Sequence, residues 1–188
     1  MSVKYAFRFL LVFISLSGLF SSLYAQNQSA SSLLIEKKIV SGQPHESKRF
    51  YVKNHPELAI LTTSGNIEIF ENPSIEFIQV DLYVDRGFTL WSGSSSLENY
   101  RIIFQQNNDK ITATIEPRRH GAKVWRSDQV NFHFVVQVPG SATTRVRSTK
   151  GDIYLRGVNG NHLIQTTAGN LFVQNSEGET NAFTASGN

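Results

Sequence analysis

Gly151, Gly169 and Gly187 stand 18 residues apart, and each opens the same phrase of glycine, then Asp or Asn, with an apolar run following the first two. Sliding the chain by that step lays Gly151-Asp152-Ile153-Tyr154-Leu155 over Gly169-Asn170-Leu171-Phe172-Val173, and Gly187-Asn188 begins the next copy. Gly160 falls on Gly178, Val146 on Ile164 and Ala182, and Ser148 on Thr166 and Thr184. At about 3.3 Å per extended residue, one period traces roughly 60 Å, enough for two strands and two corners. A fixed period with one strand-turn-strand unit per copy is the signature of a solenoid. Gly151, Gly160, Gly169, Gly178 and Gly187 are expected at corners, where positive φ costs glycine little. The Asp or Asn beside them tolerates the same region and can bond local backbone. The spacing predicts Ile153, Leu155, Leu171 and Val173 stacked inside, with Tyr154 and Phe172 stacked outside.

The same phrase occurs once earlier, as Leu61-Thr62-Thr63-Ser64-Gly65-Asn66-Ile67-Glu68-Ile69. Gly65 lies 86 residues before Gly151, which is not a multiple of 18. It reads as a first coil, interrupted by an antiparallel or sandwich-like portion over about residues 75–138. Within that portion Ile78, Val80, Leu82 and Val84 alternate with Gln79, Asp81, Tyr83 and Asp85; Val130, Phe132, Phe134, Val136 and Val138 are set in the same way against Asn131, His133 and Gln137. Period-two alternation predicts half-buried strands. Shorter strands are expected at 50–52, 58–63, 67–70, 101–105 and 111–115. Turn chemistry separates them at Glu71-Asn72-Pro73, Arg86-Gly87, Asn107-Asn108-Asp109 and Pro139-Gly140. The predicted fold is all-β: a parallel β-solenoid with 18-residue coils at the C-terminal end, preceded by an antiparallel β portion.

Residues 1–25 read as an export signal: Lys4 and Arg8, an apolar run over residues 9–20, then the small Ala25. That run of 12 residues is short of the roughly 20 a spanning helix needs. Residues 26–32 read as a flexible leader and 33–188 as a single domain. Cleavage would remove two of 18 basic residues and none of 15 acidic ones, leaving 16 against 15, or +1. A nucleic-acid partner is therefore not implied by the basic pI of the whole chain. With no cysteine there is no disulfide, zinc-thiolate site or lipidated N-terminal cysteine.

The early TTSGNIEI phrase, a strand ending in VVQVPG, and then STKGDIYL and TTAGNLFV at regular spacing resemble the DUF4097 family of bacterial adhesin-type β-strand repeat proteins, related to the head-GIN type. The resemblance runs from about Leu58 to Asn188. It implies an exported, non-enzymatic envelope protein without cofactor and carries over no catalytic residues. Chains of this kind continue through further coils, so this sequence, stopping as a new coil opens, is expected to be truncated at its C-terminal end. An open solenoid end would favour self-association.

Chemistry-bearing groups are sparse. None of the five histidines, His45, His55, His120, His133 and His162, pairs with another at metal-ligand spacing, and His133 falls on the outward side of its strand. No nucleophile-elbow motif occurs, and residues 91–96 read as a loop. The carboxylate of Asp152 becomes Asn170 and Asn188 in later copies, which argues against the stacked acids of a glycan-cleaving β-helix. Single glycines followed mostly by Asn do not make a calcium-binding repeat. Arg118, Arg119, Lys123 and Arg126 form a basic cluster suited to an anionic polymer or phospholipid surface, or simply a solvated hairpin loop. Arg145, Arg147 and Lys150 make a smaller set open to the same two accounts. The expectation is a surface or periplasmic adhesion or scaffolding module, periplasmic, cell-surface or secreted, whose ligand is an envelope polysaccharide or anionic polymer. The alternatives are a carbohydrate-active β-helix enzyme and an envelope-stress signalling partner.

Overall fold

A computed structural model describes residues 42–86, 97–118 and 130–188. The expected export signal and leader, the loop at 91–96, and Arg119, Lys123 and Arg126 lie outside the described residues. Twelve strands follow one another: β1 Glu46–Tyr51, β2 Glu57–Thr62, β3 Ile67–Glu71, β4 Phe77–Arg86, β5 Tyr100–Asn107, β6 Lys110–Pro117, β7 Val130–Val138, β8 Thr143–Lys150, β9 Ile153–Arg156, β10 His162–Ala168, β11 Leu171–Gln174 and β12 Thr180–Ser186. Among the described residues the one helical element is a 3-10 turn, Leu97–Asn99.

The strands form two six-stranded mixed sheets. One has the order β1-β4-β7-β3-β9-β11 and the other β12-β10-β8-β2-β6-β5. Alternation along β7 buries Val130, Phe132, Phe134, Val136 and Val138 and leaves their neighbours half-buried, as a strand with one covered face requires. The buried faces of the two sheets meet. Tyr100 of β5 packs edge-on to Phe132 of β7 at 4.8 Å between ring centroids, and Phe104 to Phe134 at 6.5 Å. Ile67, Ile69, Ile153 and Leu155 from the first sheet join Leu58, Ile60, Ile111, Ile115 and Ile164 from the second in one core.

Registers between C-terminal strands reproduce the 18-residue step. Ile164 pairs with Val146 and with Ala182, and Leu171 with Ile153, all in parallel strands. The early phrase joins the same stack although its step is 86: β2 lies parallel to β8 with Ile60 opposite Val146, and β3 parallel to β9 with Ile67 opposite Ile153.

The expected separate antiparallel portion is replaced by a mixed arrangement. Antiparallel pairing is confined to β1–β4, β4–β7 and β5–β6. Strands β6 and β7, from the same stretch, run parallel to β2 and β3 on the side opposite β8 and β9. Alternation specifies which face of a strand is buried but is silent on which neighbour it hydrogen bonds. A free edge on β2 and β3 decided that.

Corners are held by close backbone approach. Gly151 has φ of 134° and Gly169 of 151°. A Cβ on Gly151 would strike the carbonyl of Gly65, and one on Gly169 the carbonyl of Gly151. Inward hydroxyls satisfy these corner carbonyls: Thr166 Oγ1 donates to Gly151 O at 3.1 Å and Thr184 Oγ1 to Gly169 O at 2.9 Å. Gly140, whose added Cβ would meet only the flexible tip of Glu71 at 2.8 Å, gives the contrast. Gly151→Ala should cost about 1–3 kcal/mol in backbone strain, with the steric overlap in addition, and Gly140→Ala much less. Equal shifts in denaturant midpoint for the two variants would contradict the corner contact.

Candidate binding surface

Beside the glycines, one side chain per repeat receives a backbone N–H from the next. Asn188 N–H donates to Asn170 Oδ1 at 3.0 Å, Asn170 N–H to Asp152 Oδ1 at 2.8 Å, and Asp152 N–H to Asn66 Oδ1 at 3.0 Å. The ladder ends on His133, whose Nδ1 accepts from Asn66 N–H at 3.1 Å. His133 is on the outward side of β7 but half-buried, and its ring nitrogen replaces the Asx oxygen used at the other steps of the ladder. Its signal in sequence was weak, because Phe132-His133-Phe134 matches Gly65-Asn66-Ile67 only once the strands are paired.

His162 occupies the row of Leu58, Thr144 and Thr180. It is buried, and its Nδ1 lies 2.9 Å from Thr144 Oγ1 while Nε2 lies 3.0 Å from Val158 O. A carbonyl needs a donor, so the proton sits on Nε2 and Thr144 donates to Nδ1. Burial lowers the pKa of both histidines; the Asp85 charge opposes this at His133 and the Val158 carbonyl at His162. Both groups bind a proton more weakly folded than unfolded. Their contribution to stability is complete above the unfolded value of about 6.5 and is lost as pH falls through it toward the lower folded value. The melting temperature should therefore drop on acidification from about pH 8 to about pH 5. His133→Asn, which keeps an acceptor for Asn66, should make that drop shallower. A pH profile parallel to the parent's would show that His133 does not titrate in this way.

The outward face of the β1-containing sheet is largely engaged with itself. Tyr154 and Phe172 stack at 4.6 Å with planes 7° apart. Arg156 lies over the Phe70 ring at 5.6 Å and 3.9 Å from the buried Glu68 carboxylate. Burial, with Asp152 beside it, raises the pKa of Tyr154.

The outward face of the other sheet is open. One row across it reads Thr112, Ala59, Arg145, Leu163 and Asn181, and the next reads Thr114, Leu61, Arg147, Gln165 and Phe183. Leu61, Leu163 and Phe183 are 42%, 37% and 56% exposed. A shallow depression of about 260 Å³ runs between the rows. Arg145 and Lys110 share Glu57, at 3.3 and 3.2 Å. Arg147 instead donates from Nε and Nη2 to the neutral Gln165 Oε1, at 3.1 and 2.8 Å, so its charge has no carboxylate partner among the described residues.

The sequence-predicted positions fall in different places. Gly65, Gly151, Gly160, Gly169, Gly178 and Gly187 all have positive φ, in two columns along the stack. Arg118 is exposed at the end of β6, with its N–H donated to Asn99 O at 2.7 Å. Arg145 and Arg147 are brought into one face with the exposed apolar residues, which sequence reasoning did not single out. Their signal was the alternate positions of β2, β8, β10 and β12, legible only when those strands are laid side by side.

No protein-family model matches the chain, and no curated protein does. Among solved structures, a protein provisionally described as a cell adhesion protein, from Clostridium sporogenes, overlaps it with a TM-score of 0.41 and 9% identity. That overlap covers 77% of this chain and 97% of the other. A second, provisionally described as an adhesin, from Bacteroides fragilis, gives a TM-score of 0.27 and 13% identity over 76% of this chain and 64% of its own. Neither overlap is close enough to bear on function.

Proposed function

We propose that this protein is an exported, non-enzymatic adhesion or scaffolding module of the cell envelope, allied to the DUF4097 adhesin-type proteins. On this reading the 18-residue step is the circumference of one coil, and β8 to β12 are the coils of a parallel β-solenoid. Its ligand is an extended anionic envelope polymer lying along the outward face of the β12-to-β5 sheet.

The observation that carries the proposal is the pairing of Arg147 with neutral Gln165 between exposed Leu61, Leu163 and Phe183. Exposed apolar side chains clustered on a flat face and rimmed by polar groups mark interaction surfaces. A guanidinium without a carboxylate partner keeps its full capacity for an external anion, and its planar fork suits carboxylate and phosphate groups alike. Parallel strands set the side chains of each row about 4.8 Å apart in a straight line, which matches an extended polymer better than a compact small molecule.

The test is retention of the protein on immobilised polygalacturonate, with neutral dextran as the control. Arg145→Glu with Arg147→Glu should weaken retention about tenfold or more, and parent binding should fall with added salt as screening strengthens. Retention that is unaltered in the double variant, or equal on dextran, would remove this face from consideration.

A further inference from the structure

A cavity of about 590 Å³ opens at one end of the sheets, away from the strand face just described. Four connections build it. The β1–β2 loop supplies Lys53 and His55, the end of β3 and the following turn supply Glu71 and Glu76, the β7–β8 loop supplies Pro139, and the β9–β10 turn supplies Asn159. Its size lies within the range usual for small-molecule sites.

The walls are fixed before any ligand arrives. Asp109 accepts Lys53 N–H at 2.8 Å, holding the first loop. Asn72 N–H donates to Val138 O at 2.8 Å, and Asn72 Oδ1 accepts Ser74 N–H at 3.1 Å, which folds the second onto the third. Asn159 N–H donates to Gly140 O at 3.2 Å, and Asn159 O accepts Ala142 N–H at 2.9 Å, tying the third to the fourth. Within this frame His55 has φ of 41°, a left-handed conformation uncommon for a residue with a side chain.

Glu71 lines the cavity with an acidic side chain. Its half-buried side chain is seated between two glycines. A Cβ on Gly140 would lie 2.8 Å from its Oε1, and one on Gly157 would lie 3.2 Å from both its Cβ and its Oε2. No protein donor reaches either carboxylate oxygen among the described residues. The absence of side chains at two flanking positions leaves room for a carboxylate whose acceptor capacity the protein does not use.

We infer that this cavity is a saccharide site, in which Glu71 accepts hydroxyl groups of an uncharged sugar. The lining supplies what a sugar ring presents. Glu71 and Glu76 accept from hydroxyl donors, Lys53 donates to ring or hydroxyl oxygens, and the carbon surfaces of Ile75 and Pro139 face C–H groups. Two carboxylates against one lysine repel an acidic sugar, and Lys53 at the rim opposes a polycationic peptide. The inference stands apart from the anionic-polymer reading, since it uses a different wall and an uncharged ligand.

The test is binding of the full chain to an array of neutral and acidic glycans, with trilysine as a further probe. Parent protein should bind one or more neutral glycans, and Glu71→Gln should weaken that binding about tenfold or more, as loss of a charged acceptor does. Gly140→Ala, which crowds Glu71 without demanding positive φ, should weaken it too while circular dichroism and melting stay near the parent's. Arg145→Glu with Arg147→Glu should leave it unchanged, which separates this site from the strand face. No neutral glycan bound by the parent, binding indifferent to Glu71→Gln, or preference for acidic glycans or trilysine would each overturn the inference.

Discussion

The close approach of a corner carbonyl to the glycine Cα of the next strand pair is the contact on which the rest of the structure depends. Hydrogen-bonded strands lie about 4.8 Å apart, and at a sharp corner that spacing leaves no room for a Cβ. The column runs from the Phe132 backbone through Gly65, Gly151 and Gly169 to Gly187. Beside it the acceptors His133, Asn66, Asp152 and Asn170 each take the N–H of the next residue in the ladder. Glycine permits the approach, and the neighbouring acceptor satisfies the N–H that the corner would otherwise leave unpaired.

Once the corners are stacked, side-chain rows follow without further specification. A shift of one residue would turn every inward side chain outward, so the register that places Val146 over Ile60 also places Arg147 beside Leu61 and Gln165. The interior row containing Thr144 and His162 shows what this rigidity costs. Polar groups carried inward must find partners there, and these two bond each other, with Val158 O completing the set. The outward rows face no such demand. Side chains accumulate on them in straight lines, which is how a protein of short strands presents an extended surface.

Connections at the ends obey a different logic. Between β1 and β2, β3 and β4, β7 and β8, and β9 and β10 the chain crosses between strands through loops of four or five residues, joined by single bridges and hydrogen bonds rather than by continuous ladders. The space they leave is polar, walled by mutually bonded backbone, and contains Glu71 against two glycines. The strand face is open and repetitive, whereas the end cavity is concave and singular. The two therefore suit partners of different shape and charge.

Strand positions were legible in the chain because alternation at period two is a local property: the segments around Ile78 to Val84 and Val130 to Val138 needed no partner to be recognised. The 18-residue step was legible for the same reason, since Gly151, Gly169 and Gly187 carry their own corner requirement. What adjoins the early Gly65 phrase was not. An 86-residue separation costs only about 1.4 kcal/mol more to close than one of 18, because loop-closure entropy grows slowly with length, and the intervening strands find edges of their own. The parallel pairing of β6 and β7 with β2 and β3, the use of His133 as the last acceptor of an Asx ladder, and the meeting of Lys53, Glu71 and Asn159 around one cavity are all non-local. The sequence by itself determined which residues turn, which alternate and which face is apolar. Only the tertiary structure decided which edges pair, and through that which distant side chains share a surface, because hydrogen bonding between strand edges carries no record of separation along the chain.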